Sequence, residues 1–395
     1  MTTDTILIVD TSLSANPYYD LFRTIIKKTG KQLNIVNVVS DEDHFSLYKN
    51  YIEYPGIADY SVRYNDLSQL DSLNIKYILN GSDVGYRAYT KLISKYFPNI
   101  TNQLLDIKIN KYELYTYLKN KKIITTNQSI VNSLNYKNTN ITKPTVLKPI
   151  NGAGGKDTFY INNDDELNIL ETLQGNFMLQ DRIFGDEYSI DFISSNGVHK
   201  LHAVWKYTKN DNHHHREEID LVNPNTNAEL LTKIYKYMVT IFSEIKHENG
   251  PSHSEVMVSG DEINLIEINF RLHGHLGNGS QLLCIGTSQA GETIRNYKNP
   301  TWTSKLDTYN YHQPLKKILL NNKKEKYIES VNWEEIEKVK SVLATYKHNN
   351  LMPGIVPVST SVQTTLGFIM LSNKDHEQFN KDITTIRSLK DDICG

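Results

Sequence analysis

Short apolar runs recur along this chain, and the segments between them change character near residue 145. In the first hundred residues the runs alternate with helical patterns, as in Ile6 to Val9, the helix-like Tyr19 to Lys28 and Leu33 to Val39. Such βαβ order is typical of a parallel sheet. From Thr145 onward short strands and loops follow one another, which indicates antiparallel α+β organisation. The sequence therefore predicts a parallel α/β domain followed by an α+β region.

The chain has 395 residues, which is too long for one ordinary hydrophobic core. Two or three domains are therefore expected, and the first hundred residues form the first of these parts. The polar turn Asn80 to Asp83 follows a predicted strand of the first part, at the edge where parallel sheets usually bind ligands. An ordinary strand-to-helix connection explains the same turn.

Composition excludes several classes of protein. The formal net charge is −2, and no basic block is interleaved with aromatic residues, so we expect no nucleic-acid partner. No apolar run approaches membrane-spanning length, and no leader-like segment precedes the strand-like Ile6 to Asp10. The two cysteines, Cys284 and Cys394, give no disulfide framework. We expect a cytoplasmic protein with no membrane association.

A hairpin near residue 260 carries a concentrated set of polar side chains. Two apolar segments flank the turn Ser259-Gly260-Asp261, which brings Glu255 toward Glu267. Because side chains alternate along a strand, Glu267, Asn269 and Arg271 are expected on one face. Two carboxylates and an amide suit Mg²⁺ that bridges nucleotide phosphates. A solvated hairpin face is the competing interpretation.

A glycine-rich loop follows the strand-like Thr145 to Lys148. It runs from Gly152 through Gly154 and Gly155 to Lys156, so lysines stand on both sides. Glycines let backbone N–H groups converge on anionic oxygens, and the lysines neutralise charge. The loop is neither a Walker A sequence nor GxGxxG. Phosphate binding and a flexible hairpin turn both fit the loop taken alone.

The segment Gln180 to Glu187 leads from a buried strand into a connector and a turn at Gly185-Asp186. Its backbone can present hydrogen-bonding groups to an adenine edge, with Ile183 against the ring and Glu187 near ribose hydroxyls. A plain turn between strands explains Gly185-Asp186 equally well. Together with the loop upstream and the carboxylates downstream, the connector completes adenine, phosphate and metal contacts in chain order.

These three pieces resemble the ATP-grasp superfamily of carboxylate-amine ligases, and the resemblance covers nearly the whole chain. It implies a pre-ATP-grasp domain at 1–105, a central subdomain with the lysine strand and phosphate loop at 106–185, a metal-binding subdomain at 186–305, and a small closing module at 306–395. Asn110-Lys111 resembles the start of the family's linker helix, although the family more often has Asp there.

The resemblance also implies roles for individual residues. Lys111 and Lys148 would hold the α and β phosphates of ATP, and the Gly154-Gly155 loop with Lys156 would cover the β and γ phosphates. The nucleoside pocket would comprise Gln180, Asp181, Ile183 and Glu187. Two Mg²⁺ ions, with Mn²⁺ as a possible substitute, would bind Glu255, Glu267 and Asn269. The catalytic groups would be Arg271, Lys148, Gly154 and Gly155.

Within the superfamily, the chain most resembles the L-amino-acid ligases, which form dipeptides. The implied reaction activates a carboxylate as an acyl-phosphate, joins it to an amine, and releases ADP and phosphate. Substrate contacts are expected from Arg271, His273, His275 and Trp205, although a half-buried core strand also explains Trp205. A bicarbonate-activating carboxylase and a non-catalytic nucleotide-binding protein are the alternatives. The partners expected are small carboxylates and amines, and a homodimer fits the family habit.

Overall fold

The computed structural model describes residues 3–43, 45–46, 58–100, 103–124, 126–139, 141, 144–150, 157–209, 215–274, 276–297, 308–348, 352–359 and 364–394. The predicted site residues Gly154, Gly155, Lys156 and His275 lie outside these ranges. Within the described residues, none of the helices combines the length and the apolar composition that a membrane span requires.

The first sheet is parallel, as its βαβ pattern predicts. Its strands are β1 (Asp4–Val9), β2 (Leu33–Val39), β3 (Tyr60–Arg63) and β4 (Asn74–Asn80). They lie in the order β3-β2-β1-β4, and every pair is parallel. The helices in the described residues of this part include α1 (Asn16–Thr29) and α2 (Tyr86–Tyr96). Helix α1 begins with a proline at its first turn and ends at Gly30, whose φ of 67° closes the helix.

A second, antiparallel sheet follows two short helices, α3 (Leu105–Ile109) and α4 (Lys111–Asn120). Its strands are β5 (Gln128–Val131), β6 (Thr145–Pro149), β7 (Phe159–Ile161) and β8 (Phe177–Asp181). They lie in the order β5-β8-β6-β7. Asn110 caps α4 by accepting from the Glu113 N–H. Between β7 and β8 the chain forms a 3₁₀ helix, Asp164–Glu171.

The largest sheet is also antiparallel. Its strands are β9 (Asp186–Ser195), β10 (Val198–Lys209), β11 (Arg216–Leu221), β12 (Gly250–Ser259), β13 (Glu262–Asn269) and β14 (Lys316–Leu319). The chain then forms β15 (Lys326–Ile328), β16 (Val342–Lys347), β17 (Gly354–Val356) and β18 (Gly367–Leu371). The large sheet has the order β13-β12-β9-β10-β11-β14-β18-β16, whereas β15 pairs with β17. The hairpin predicted around Ser259-Gly260-Asp261 is β12 and β13.

Helix α5 (Ala228–Glu244) packs on one face of the large sheet. Phe242 of α5 meets Phe192 of β9 edge to face, with ring centroids 5.2 Å apart. Because side chains alternate along β9, Glu187, Ser189 and Asp191 project from the other face. The remaining helices are α6 (Asn278–Ile285), α7 (Gln289–Arg295), α8 (Trp333–Glu337) and α9 (His376–Cys394).

The strands β14, β16 and β18 from residues 306–395 extend the sheet that residues 186–305 begin. The fold is therefore a parallel α/β domain followed by antiparallel sheets, as expected. The four-part division at residues 105, 185 and 305 stays a prediction.

Candidate active site

Strand register carries polar side chains of several strands onto the face of the large sheet opposite α5. Residues that pair across antiparallel strands project to the same side. One row of pairs contains Asn269, His253 and Asp191; the next contains Glu267, Glu255, Ser189 and Trp205; a third contains Met257, Glu187, Tyr207, Ile219 and Lys317. We call this surface the active face.

Glu255 and Glu267 are direct partners across β12 and β13, and Asn269 lies two residues beyond Glu267. Lys111, the first residue of α4, places Nζ 2.9 Å from Glu267 Oε1. Burial opposes the charge, yet this lysine holds the pKa of Glu267 below its usual value. Two carboxylates and one amide form an all-oxygen donor set that fits Mg²⁺.

Arg216 is a site residue that the sequence did not reveal. Its Nη2 lies 2.9 Å from Glu187 Oε1 and 2.6 Å from Glu255 Oε2, and its guanidinium lies 4.0 Å from the Tyr207 ring centroid. Lys209 also contacts the Glu187 carboxylate. Burial opposes ionisation, but Arg216 and His253 keep the pKa of Glu255 well below its usual range. Arg216 begins the highly charged segment Arg-Glu-Glu-Ile-Asp-Leu, and no sequence pattern there predicts its contacts with Glu187 and Glu255.

Lys148 of β6 points toward the hairpin. Its Nζ lies 3.4 Å from the Ile266 carbonyl oxygen and 5.2 Å from the Tyr115 ring centroid. Burial and the nearby charge of Lys111 lower the pKa of Lys148 to about 8. The Tyr115 hydroxyl donates to the Leu265 carbonyl at 2.9 Å, which ties α4 to β13. The structure thus brings both predicted phosphate-binding lysines beside the predicted metal carboxylates.

The predicted nucleoside residues lie on and after β8. Gln180 is buried, and Ile183 is half-buried in the connector before β9. Asp181 Oδ2 accepts hydrogen bonds from Asn127 Nδ2 at 2.9 Å and from the Asn127 N–H at 3.1 Å. Asp181 is therefore engaged with the segment before β5. Glu187 contacts the cations Lys209 and Arg216.

A buried cluster centres on Asp191, to which the sequence assigned no role. Trp205 Nε1 donates to Asp191 Oδ2 at 2.7 Å, and the Nδ1 atoms of His253 and His273 lie 3.1 and 3.2 Å from Asp191 Oδ1. His253 Nε2 also lies 3.6 Å from Glu255 Oε1. The candidate substrate residues Trp205 and His273 are thereby connected to the metal carboxylates.

The two histidines of this cluster differ in how readily they are protonated. Burial lowers the pKa of His273 to about 4, so its imidazole is neutral at neutral pH. Burial also acts against protonation of His253, but hydrogen bonds to Asp191 and Glu255 raise its pKa. A cationic His253 would bridge two carboxylates, whereas His273 offers a neutral ring.

Arg271 lies just past the end of β13, and its guanidinium contacts Asp83, at the carboxyl end of β4. The turn Asn80 to Asp83 therefore contributes to the site from the parallel sheet, at the edge that the sequence indicated. Asn80 Nδ2 also donates to the Phe270 carbonyl at 2.9 Å. An ion pair and a hydrogen bond therefore connect the parallel sheet to the residues that follow the hairpin.

Comparisons with known proteins agree with this architecture. Residues 109–275 match the ATP-grasp domain family. The L-amino acid ligase from Bacillus licheniformis superposes with a TM-score of 0.75 at 13% identity, over 99% of this chain and 98% of that one. The N5-carboxyaminoimidazole synthetase from Staphylococcus aureus, complexed with ADP, gives 0.69 at 14% identity, over 99% and 98%.

The phosphoribosylglycinamide synthetase from Anaerococcus prevotii gives a TM-score of 0.64 at 12% identity, over 98% of both chains. No curated protein sequence matches the chain significantly. At such identities the solved structures establish the fold. Residues 109–275 therefore form an ATP-grasp domain, within a chain that has the overall fold of the ATP-grasp ligases.

Proposed function

We propose that this protein is an ATP-dependent carboxylate-amine ligase that acts on an amino acid or a small peptide-like acid. The observation that carries the proposal is that Lys111 contacts Glu267 and Lys148 contacts the Ile266 carbonyl oxygen, so both lysines lie at the hairpin where Glu267 faces Glu255. Cations beside a divalent-metal donor set are what binding and transfer of a nucleotide phosphate require.

In the proposed reaction, a substrate carboxylate oxygen attacks the γ-phosphorus of ATP, and the bond to the β-phosphate oxygen breaks to release ADP. The amine nitrogen then attacks the acyl-phosphate carbonyl carbon, the bond to phosphate breaks, and the amine loses a proton. Mg²⁺, held by Glu255, Glu267 and Asn269, would neutralise charge on the phosphates. Mn²⁺ has a similar preference for oxygen ligands.

The chain's own residues supply positioning and charge. Lys111 and Lys148 would bind the α and β phosphates. Little water surrounds Lys148, so its attraction to a phosphate would be only weakly screened. Gln180, Asp181, Ile183 and Glu187 would hold the nucleoside, and Gly154, Gly155 and Lys156 would cover the phosphates. Arg271 would stabilise the negative oxygens of the tetrahedral intermediate. His273 is a candidate for orienting the substrate, because its ring is neutral but, with a pKa lowered to about 4, a weak base.

Amino acids are the proposed substrates because the L-amino acid ligase from Bacillus licheniformis is similar over nearly the full length of both chains. The similarity to an N5-carboxyaminoimidazole synthetase favours bicarbonate activation as the second candidate. The two functions differ in the carboxylate that must be supplied, so they separate in one assay.

The test is a panel of the standard amino acids, singly and in pairs, with bicarbonate as an additional arm. Release of ADP and phosphate is measured together with product mass, and the Glu267→Gln variant provides the blank. We expect at least one amino-acid pair to stimulate phosphate release and give an amide of the corresponding mass. Formation of AMP and pyrophosphate would contradict the acyl-phosphate route. Stimulation by bicarbonate alone would replace the amino-acid proposal with the second candidate.

A further inference from the structure

Lys317 lies on the active face, four strands from β12. It pairs with Ile219 of β11 and Met370 of β18, and its row continues through Tyr207 to Glu187. Neighbouring strands are about 5 Å apart, so the Cα atoms of Lys317 and Glu187, three strands apart, are separated by roughly 15 Å. The buried side chains of Tyr207 and Ile219 project between them in the same row.

The Lys317 side chain is only 4% exposed, and its Nζ lies 4.0 Å from the Phe368 ring centroid. Within the described ranges, no carboxylate lies within salt-bridge distance of it. Its neighbour Lys316 projects to the opposite face and contacts Glu218 at 2.6 Å and Asp220 at 2.8 Å. Burying an ammonium group without an anion is costly unless the group loses its proton.

The other cations of the active face form ion pairs with its carboxylates. Arg216 contacts Glu187 and Glu255, and Lys111 contacts Glu267. Of the lysines in the described residues that approach this face, Lys317 and the half-buried Lys148 of the neighbouring sheet have no carboxylate within salt-bridge distance. Lys148 is assigned above to the phosphates of ATP. Lys317 is left as the buried cation to which a second anion could bind, and such an anion would favour its charged form.

The charge of Lys317 acts on the centre of the site. Burial is the main reason why the pKa values of His273 and His348 are lowered, and the charge of Lys317 adds to both shifts. Burial and then the charge of Arg216 lower the pKa of Lys317 to about 7. An anion at Lys317 would therefore lie within electrostatic reach of the Asp191 cluster and of Arg216.

We propose that Lys317 binds a carboxylate of the small-molecule substrate, at the end of the active face away from the nucleotide. The inference rests on the proposed ligase function and adds a specificity determinant supplied by residues 306–395. A monoanionic carboxylate is favoured over a phosphate ester, because one ammonium group balances one negative charge and Phe368 occupies another side of it. Such a residue would select substrates that retain a free carboxylate after amide formation.

The test uses calorimetric binding of the standard L-amino acids, the amide of each, and inorganic phosphate, with and without ADP. Wild type is compared with Lys317→Gln and Lys317→Met, and with Lys323→Gln, which removes an exposed lysine of the same part of the chain. We expect at least one amino acid to bind wild type and the control about tenfold or more tighter than it binds Lys317→Gln. Its amide should bind weakly and equally to all three.

Equal affinity of wild type and Lys317→Gln for every amino acid would overturn the proposal, as would a panel in which none binds wild type. An effect of Lys317→Gln on inorganic phosphate alone would replace a carboxylate site with a phosphate site. Calorimetry needs no turnover, so a chain that fails the ligase assay still gives a result here. Lys317→Met preserves the volume of the buried stem and keeps the test valid if Lys317→Gln does not fold.

Discussion

Arg271 donates to one carboxylate oxygen of Asp83 through two nitrogens, Nε at 2.9 Å and Nη2 at 2.8 Å. Arg271 follows β13 of the large sheet, and Asp83 follows β4 of the parallel sheet. The side chains are 15% and 21% exposed, so the pair is well shielded from water. The first domain therefore orients the arginine that we propose acts on the reacting carboxylate.

Replacing Asp83 with Asn should lower kcat by roughly ten- to a hundredfold and change the KM for ATP little. The variant removes a charge-assisted contact that orients Arg271 but leaves the nucleotide site intact. Steady-state ADP release measures both constants. Asp106→Asn is the matched control, since Asp106 contacts Arg87 on the surface. An unchanged kcat in Asp83→Asn would show that Arg271 needs no positioning by Asp83.

Glu267→Gln should reduce ATP turnover by at least about a hundredfold without loss of the fold. The amide keeps the shape of the side chain but removes the charge that would bind Mg²⁺ and that contacts Lys111. ADP release over a Mg²⁺ titration measures the effect, and circular dichroism checks the fold. Glu262→Gln on the same strand is the control, because Glu262 is exposed. Full activity in Glu267→Gln would refute the metal assignment.

Arg216→Met should destabilise the protein by about 3 kcal/mol, since it leaves Glu187 and Glu255 buried without their shared cation. Urea unfolding measures the loss. Arg63→Met provides the control, because Arg63 pairs with Glu42 at an exposed position and should contribute little. Arg216→Lys keeps the charge but not the fork geometry, so an intermediate stability is expected. Wild-type stability in Arg216→Met would mean that the two carboxylates are not held charged by Arg216.

Acid should weaken the attachment of α9 to the large sheet through Glu218. Burial opposes its ionisation, but Arg387 of α9 and Lys316 lower the pKa of Glu218 to about 2. A carboxyl whose folded pKa is depressed contributes stability above its unfolded pKa of about 4.5 and loses it as pH falls toward 2. The contribution is roughly 2 to 3 kcal/mol.

Urea unfolding at several values between pH 6 and pH 3 measures that loss. Glu218→Gln should be less stable than wild type at pH 6 and should show a smaller decrease on acidification. Glu334→Gln, which alters an exposed pair with Lys338, is the control. The same pH dependence in wild type and Glu218→Gln would contradict this origin of the acid sensitivity.

Elements with a clear hydrophobic period were predictable. The strand Leu33–Val39 has the bounds that its pattern indicates, and the hairpin turn at Ser259-Gly260-Asp261 joins β12 to β13. Strand β11 was missed, because its sequence Arg-Glu-Glu-Ile-Asp-Leu resembles an exposed segment. Its charges are buried by partners distant in sequence, such as Lys316 and Arg387 against Glu218.

Sequence alone determined the order of the pieces and the partnership of Glu255 with Glu267, since a short turn and strand alternation place side chains locally. Only the tertiary structure decided which cations meet these carboxylates, that Asp191 gathers Trp205, His253 and His273, and that Lys317 is buried on the same face. The physical reason is the distance along the sequence over which each kind of information acts. Periodicity reports the environment of neighbouring residues, whereas charge pairing depends on strands that pair across long sequence separations.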